Sequence, residues 1–388
     1  MKSYSCLVSR SQSKLESCVS DSIEQQSSSL DRLNRWFELA TLAPSGANLQ
    51  PWSYSGQQIG NGFKITLRLG REYLKSPSAI DPFFFAAAIS LGAFARNLEI
   101  AALLDGFHCA NTDQQGKGPS EWRWTFEFHP SHRLVIEAQE LKASILKRVS
   151  NRNPYSRTPI AMSDWEMACK ILEKNPNFTL TLSPTRHRDV WIQILSILEK
   201  IRCSDDRLRT ELFKEFRTQE ELRRDPIGLP IETVTNSTTE RWLLLQLKKW
   251  PKLQFILKCG AEYFFIRSSV RKPLIHTGEI LIFQSQNPDA RFGFDMGSLL
   301  EELWLRWTKR GYSLQILALP LLIHGSQSKE FTSRLSTHNQ DMLTKASRIA
   351  MEKLAVNLNL PTLVIRIGKA KIKSPQSPRR NNFQEKSQ

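Results

Sequence analysis

Ala43-Pro44-Ser45-Gly46-Ala47-Asn48-Leu49-Gln50-Pro51-Trp52 is the stretch on which the reading of this chain turns. Ahead of it, Leu33, Trp36, Phe37 and Ala40 fall on one face at helical spacing, in a helix expected to start near Leu30 and to stop at Pro44. Behind it, Phe63 to Leu69 alternates like a strand and ends at Gly70. The stretch is therefore a helix-to-strand loop with proline near both ends. Ser45, Asn48 and Gln50 crowd a hydroxyl and two amides into six residues, a set that can serve the edge of a planar heterocycle. On spacing alone, a plain loop with an Asx turn is the favoured reading.

Two basic segments stand beside it. In Arg148-Val149-Ser150-Asn151-Arg152, alternate residues of an extended backbone point the same way, which puts Arg148, Ser150 and Arg152 on one face as a phosphate clamp. Ser377-Pro378-Arg379-Arg380 offers two more guanidinium groups. Taken singly, the first also reads as a solvated basic turn and the second as a flexible tail.

The chain has 388 residues, enough for two domains, and its 40% apolar and 24% charged residues are ordinary for a globular protein. Net charge is +16, which suits nucleic acid, an anionic membrane surface or a phosphorylated ligand without choosing among them. No helix-turn-helix, RNP or zinc motif supports a nucleic-acid partner. The six cysteines, at 6, 18, 109, 169, 203 and 259, show no CxxC pair and no zinc spacing, so no metal site is expected. Scattered thiols without a secretory signal predict a cytoplasmic protein. No apolar run reaches the length of a membrane span, and the longest, Pro82 to Ala95, ends at Arg96.

Residues 1–29 read as a polar, disordered leader. Pro82 to Leu104 predicts a helix too apolar for a surface position. Strands are expected over 122–128, 133–137, Phe178 to Leu182, Glu279 to Phe283 and Thr362 to Ile367, and helices over 187–220 and 338–358. Ser163 is a candidate N-cap for a helix through Leu172. One self-similarity stands out. Gly92 and Gly106 bracket an apolar segment followed by Phe107, and Gly297 and Gly311 bracket another followed by Tyr312, at a constant offset of 205 residues. Leu67-Arg68-Leu69-Gly70 and Ile365-Arg366-Ile367-Gly368 also look alike, but out of order relative to those helices.

Together these segments resemble a known family. Ala43 to Trp52 is similar to the APSxxNxQPW signature of FMN-dependent nitroreductases, and Arg148 to Arg152 to their RxSxR motif. Ile365-Arg366-Ile367-Gly368 with Pro378-Arg379-Arg380 resembles the family's terminal strand and basic end. The motif order is changed, since RxSxR usually comes first. That order resembles the two-lobed, single-chain branch known as Acg-type FMN-binding proteins, over roughly residues 30–382.

The resemblance implies an α+β fold of two tandem nitroreductase-like lobes, each a mixed β-sheet flanked by helices, forming an intrachain pseudo-dimer. Lobe 1 would span 30–140 and keep the loop. Lobe 2 would span 141–382 and keep the clamp, with an insertion or lid at about 223–271 and a tail at 383–388. It implies one FMN per chain, held by Ser45, Asn48 and Gln50 at the ring and ribityl chain and by Arg148, Ser150, Arg152 and Arg380 at the phosphate. No catalytic side chain is implied, because the flavin carries the chemistry. The implied reaction is an NAD(P)H-driven two-electron reduction of a small nitro, quinone or similar conjugated acceptor, by a monomer or homodimer. The alternative is a flavin-storage protein whose lid leaves no room for turnover. Residues 223–271, rich in tryptophan, phenylalanine and lysine, also read as a basic amphipathic segment for a membrane surface or as a plain helical insertion.

Overall fold

The computed structural model describes residues 29–131, 136–235, 237–258, 260 and 262–380. A helix over 29–40 (α1) leads into β1 (Trp52–Ile59) and β2 (Gly62–Leu69), followed by α2 (Phe85–Leu104), β3 (Phe107–Gln115), β4 (Arg123–Pro130) and α3 (Ile136–Lys147). The remainder contains α4 (Met162–Leu172), β5 (Phe178–Ser183), α5 (Arg188–Ser204), α6 (Asp206–Glu215), α7 (Thr238–Lys249), β6 (Glu279–Ser285), α8 (Phe292–Lys309), β7 (Ser313–Leu317), α9 (Thr337–Leu354) and β8 (Thr362–Gly368).

The fold is α+β with two four-stranded sheets, ordered β1-β2-β4-β3 and β5-β6-β8-β7. In both, the second strand leads to the long helix, the third strand follows that helix, and the fourth lies between the second and third. Every ladder within them is antiparallel, so the expectation of mixed sheets is corrected. Parallel pairing is confined to Phe216–Arg217 with Leu229–Pro230 and to a bridge between Ser150 and Leu314. The Leu67–Gly70 and Ile365–Gly368 look-alikes belong to the second strand of one sheet and the fourth of the other.

The two long helices cross with almost no space between backbones. A Cβ on Gly92 would lie 1.8 Å from the Phe294 carbonyl oxygen, and one on Gly297 would lie 1.9 Å from that of Ile89. Ile89 and Phe294 are separated by the same 205 residues as Gly92 and Gly297, so the two contacts are one contact made in both directions. The cores exchange residues across this crossing. Phe294 of α8 stacks on Trp124 of the first sheet at 4.7 Å, while Phe85 and Ile89 of α2 pack with Leu281, Phe283 and Trp304. Arg96 of α2 meets Glu302 of α8 at 2.8 Å.

Among the described residues α2 alone is long and apolar enough to cross a membrane, but it is mostly buried between the two sheets. Its membrane-like composition follows from burial on all sides.

Other expectations need correction. Residues 136–137 belong to α3 rather than a strand, and 133–135 lie outside the described residues. α3 buries Ala138, Leu141 and Ile145 in the core of the first sheet, so a lobe boundary at 140 would cut through a helix. The N-cap of α4 is Ala161, not Ser163, which lies inside the first turn. β1, β3 and β7 were not expected. β3 is a sheet edge whose last five residues are exposed and polar, and β7 is five residues long, so neither shows the alternation that marks a half-buried strand.

Gly297→Ala should force two backbones apart and destabilise the fold by roughly 3 kcal/mol or more, beyond the usual range for overpacking. Gly118→Ala, where an added methyl meets nothing within 4 Å, should be close to neutral. Denaturant midpoints of the two variants check this.

Candidate functional site

Among the described residues, three of the five non-glycine residues with positive φ lie in the loop after α1. Ala47, Asn48 and Gln50 have φ of 48°, 56° and 49°, in the left-handed region that favours glycine. Three such residues within four positions require outside support, which comes from distant segments. The Asn48 side-chain amide donates to the carbonyls of Pro226, Gly228 and Pro378 at 3.1–3.2 Å, and its oxygen accepts from Arg379 at 2.7 Å. Gln50 donates to the Pro226 carbonyl at 2.7 Å and accepts from the backbone N–H of Arg380 at 3.0 Å. Ser45 Oγ accepts from the Gln50 N–H at 3.1 Å. Asn48 and Gln50 are thus buried with their amide N–H groups turned toward protein carbonyls, and Asn48 also lines the small pocket described below.

The 148–152 segment runs along the edge of β7. The Asn151 N–H bonds the Leu314 carbonyl at 3.0 Å, and its fully buried amide donates to the Ile372 carbonyl at 2.8 Å. Its side-chain oxygen accepts from Asn153 N–H and from the Ser374 hydroxyl. The last described residues therefore strap across the 148–153 segment before reaching the loop. There, Arg379 bonds the Thr41, Leu42 and Ala43 carbonyls at 2.8–3.3 Å.

A polar pocket of about 70 Å³ lies where these three segments meet. Its walls include Ser45, Arg148, Ser150, Arg152, Ser377 and Arg379. Burial lowers the pKa of all three guanidinium groups. For Arg379 burial and the neighbouring Arg148 charge bring it down to about 9, against an opposing pull from Glu301. Arg148 sits over the Trp304 ring at 4.8 Å, donates to the Leu42 carbonyl at 2.6 Å and lies 3.2 Å from the buried Glu301 carboxylate. Glu301 itself is pushed up to about 7 by burial despite that neighbour. The Arg152 guanidinium makes no hydrogen bond to any described residue. Arg380, expected at the phosphate, instead pairs with Asp225 at 3.2 Å. Arg379 rather than Arg380 lines the small pocket, because neighbours on an extended backbone point opposite ways.

Pro44, Ser45, Ala47, Ser150, Arg152 and Leu229 also line a second cavity of about 760 Å³. That volume is in the range of small-molecule and cofactor sites. Its walls combine the loop, Leu317 and Leu319 beyond β7, and the 238–272 segment through Leu244, Leu247 and Phe265. Asp81 and Glu215 line it too. Asp81 accepts from the Ala87 N–H at the start of α2, and burial raises it to about 6. Burial raises Glu215 to about 8 against the pull of Arg202 and Arg152, so this acid keeps its proton at neutral pH. Sequence reading missed Arg379, Glu215 and Asp81. Only the doubled arginine after Pro378 gave a signal, and it did not say which arginine faces inward.

In comparisons with known proteins, no family model and no curated protein matches this chain. Among solved structures, it is similar to the FMN-dependent nitroreductase NfnB from Mycobacterium smegmatis in complex with NADPH. The match has 14% identity and a TM-score of 0.35, and covers 61% of this chain and 89% of that one.

Two outcomes test the site. Asn48→Ala strips a strained turn of its anchors and leaves Arg379 short of an acceptor, so unfolding should move down by about 1–3 kcal/mol, read as a lower denaturant midpoint. For Glu215 the folded pKa lies above the ordinary 4.5. Its contribution to stability is present at low pH and is lost as pH rises from about 4.5 to about 8. Unfolding free energies across that window should fall with pH, and less steeply in Glu215→Gln.

Proposed function

We propose that this chain is a flavin oxidoreductase of the nitroreductase type, which holds one FMN and passes two electrons from NAD(P)H to a nitro, quinone or similar conjugated acceptor. One observation carries the reading: three desolvated guanidinium groups converge on a phosphate-sized pocket that shares a wall with a cofactor-sized cavity. The carboxylates that oppose them, Glu301 and Glu215, are both biased toward the neutral acid. The pocket is therefore short of negative charge, and a phosphate dianion would supply it.

In this reading Arg148, Arg152, Arg379, Ser150 and Ser377 hold the phosphate, and the strained 45–50 loop forms one wall for the ring. FMN, when bound, supplies the two-electron chemistry. The protein's own contribution is to orient, to exclude water through the apolar 238–272 wall, and to hold a proton on the Glu215 carboxyl. The symmetric crossing at Gly92 and Gly297 and the shared strand order support an ancestral pair fused into one chain. Lobe 1 then keeps the loop and lobe 2 the clamp, leaving the second site without either. Free thiols at Cys109, Cys169 and Cys203 accord with a cytoplasmic setting. The flavin-storage alternative draws support from the same 238–272 wall, which narrows access to the cavity.

Flavin released from reconstituted protein should approach one per chain; a ratio near two, or none, overturns the single-site reading. Arg152→Ala should weaken FMN binding by roughly 1.5–3 kcal/mol, the range for a hydrogen bond to a charged group, with little change in melting temperature. Anaerobic NADPH should bleach the holoprotein, and a quinone should restore its colour. Bound flavin that neither donor nor acceptor can reach supports storage instead.

A further inference from the structure

The 238–272 segment buries Leu244, Leu247 and Leu257 with Leu212, Phe213 and Phe216 in a small core of its own. What it leaves outside is unusual. Trp242, Trp250, Leu253, Phe255, Tyr263 and Phe264 are 45–67% exposed within 23 residues of chain. Among them lie Lys249, Lys252, Arg267, Arg271 and Lys272, all exposed. The segment holds eight Lys and Arg against two Glu. Of those two, Glu262 lies 3.6 Å from Lys200 and Glu240 accepts from the Thr235 hydroxyl, so both carboxylates face groups outside the segment.

Large exposed aromatics are not stable neighbours of bulk water, and such patches mark contact surfaces. The charge decides what contacts this one. A second copy would bring the same cations face to face. An anionic lipid surface offers opposite charge to the lysines and arginines, and an interfacial layer where tryptophan, tyrosine and phenylalanine rings settle. Leu243, Phe264, Arg267 and Lys272 are exposed and also line the large cavity, so they form part of its rim. The cavity therefore opens within the same patch.

We propose that residues 238–272 dock the protein on an anionic membrane surface, with the mouth of the large cavity turned toward the lipid. A ligand entering by that mouth would be an apolar molecule dissolved in the membrane. The docking does not rest on the flavin assignment, because vesicle binding and the flavin spectrum are separate readouts.

The test is co-sedimentation of the full chain with vesicles of phosphatidylcholine alone and of equal parts phosphatidylcholine and phosphatidylserine. The wild type should sediment with the second and not the first, and added salt should release part of it. Trp250→Ser with Phe255→Ser changes two exposed rings that do not line the cavity, so melting temperature and flavin content should hold. Vesicle affinity should fall about tenfold or more, the effect of losing one buried ring. Lys249→Glu with Lys252→Glu should act likewise. Three results would overturn the proposal: no sedimentation with the anionic vesicles, variants that bind as the wild type does, or an oligomer or oligonucleotide complex that the same variants abolish while vesicle binding stays absent.

Discussion

Everything in this fold depends on two helices being able to touch backbone to backbone. A helix pair normally keeps its axes apart by the thickness of its side chains. Here Gly92 and Gly297 remove that spacing at the crossing, and each helix reaches into the core of the other sheet. The crossing fixes how the two sheets stand. It also fixes where the end of α1 lies against α3 and β7, and hence where the 43–52 loop meets the 148–152 segment. The Arg148–Glu301 contact ties one side of the site directly to the flank of α8.

How much of this could be read beforehand depends on how local the physics is. Glycines at a constant offset were visible because close approach allows no other residue. The long elements were visible because their apolar spacing is dictated by burial. The edge strands β1, β3 and β7 were hidden, since an edge has one neighbour and needs little side-chain pattern to hold it. The same logic divides the site. Ser45, Asn48, Arg148, Ser150 and Arg152 all lie in the pocket walls, but so does Val149, so alternation alone does not select them. Asn48 and Gln50 were singled out for their amides, and those amides instead meet carbonyls some 176–330 residues away. No pattern within the loop announces such partners. Glu215 and Asp81 escaped for a related reason: an acid becomes a held proton only through its surroundings, and surroundings are a property of the folded chain.

The electrostatics of the site largely follow one rule. Arg148, Arg152, Arg379, Glu301 and Glu215 are each desolvated more than their partners compensate, whereas Arg202, beside Glu199, is not. These guanidinium groups are pushed down and these carboxyl groups up, so burial biases the acids toward their neutral form. A set of groups arranged only for stability would pair them, since an unbalanced buried charge is unfavourable. The imbalance is what distinguishes this pocket from the Arg96–Glu302–Arg306 cluster on α2 and α8, where burial is outweighed and Glu302 is held below its ordinary range.

The strap formed by residues 372–380 has a consequence for how the protein comes into being. It supplies Arg379, closes the hydrogen bonds of Asn48 and Gln50, and crosses the 148–153 segment on the way. Those contacts join parts of the chain that are about as far apart in sequence as this protein allows, and long-range closures form late in folding. On the ribosome the loop and the basic segment emerge long before the strap that joins them. The pocket can therefore close only once the last strand and the strap behind it have been made, long after its other two segments.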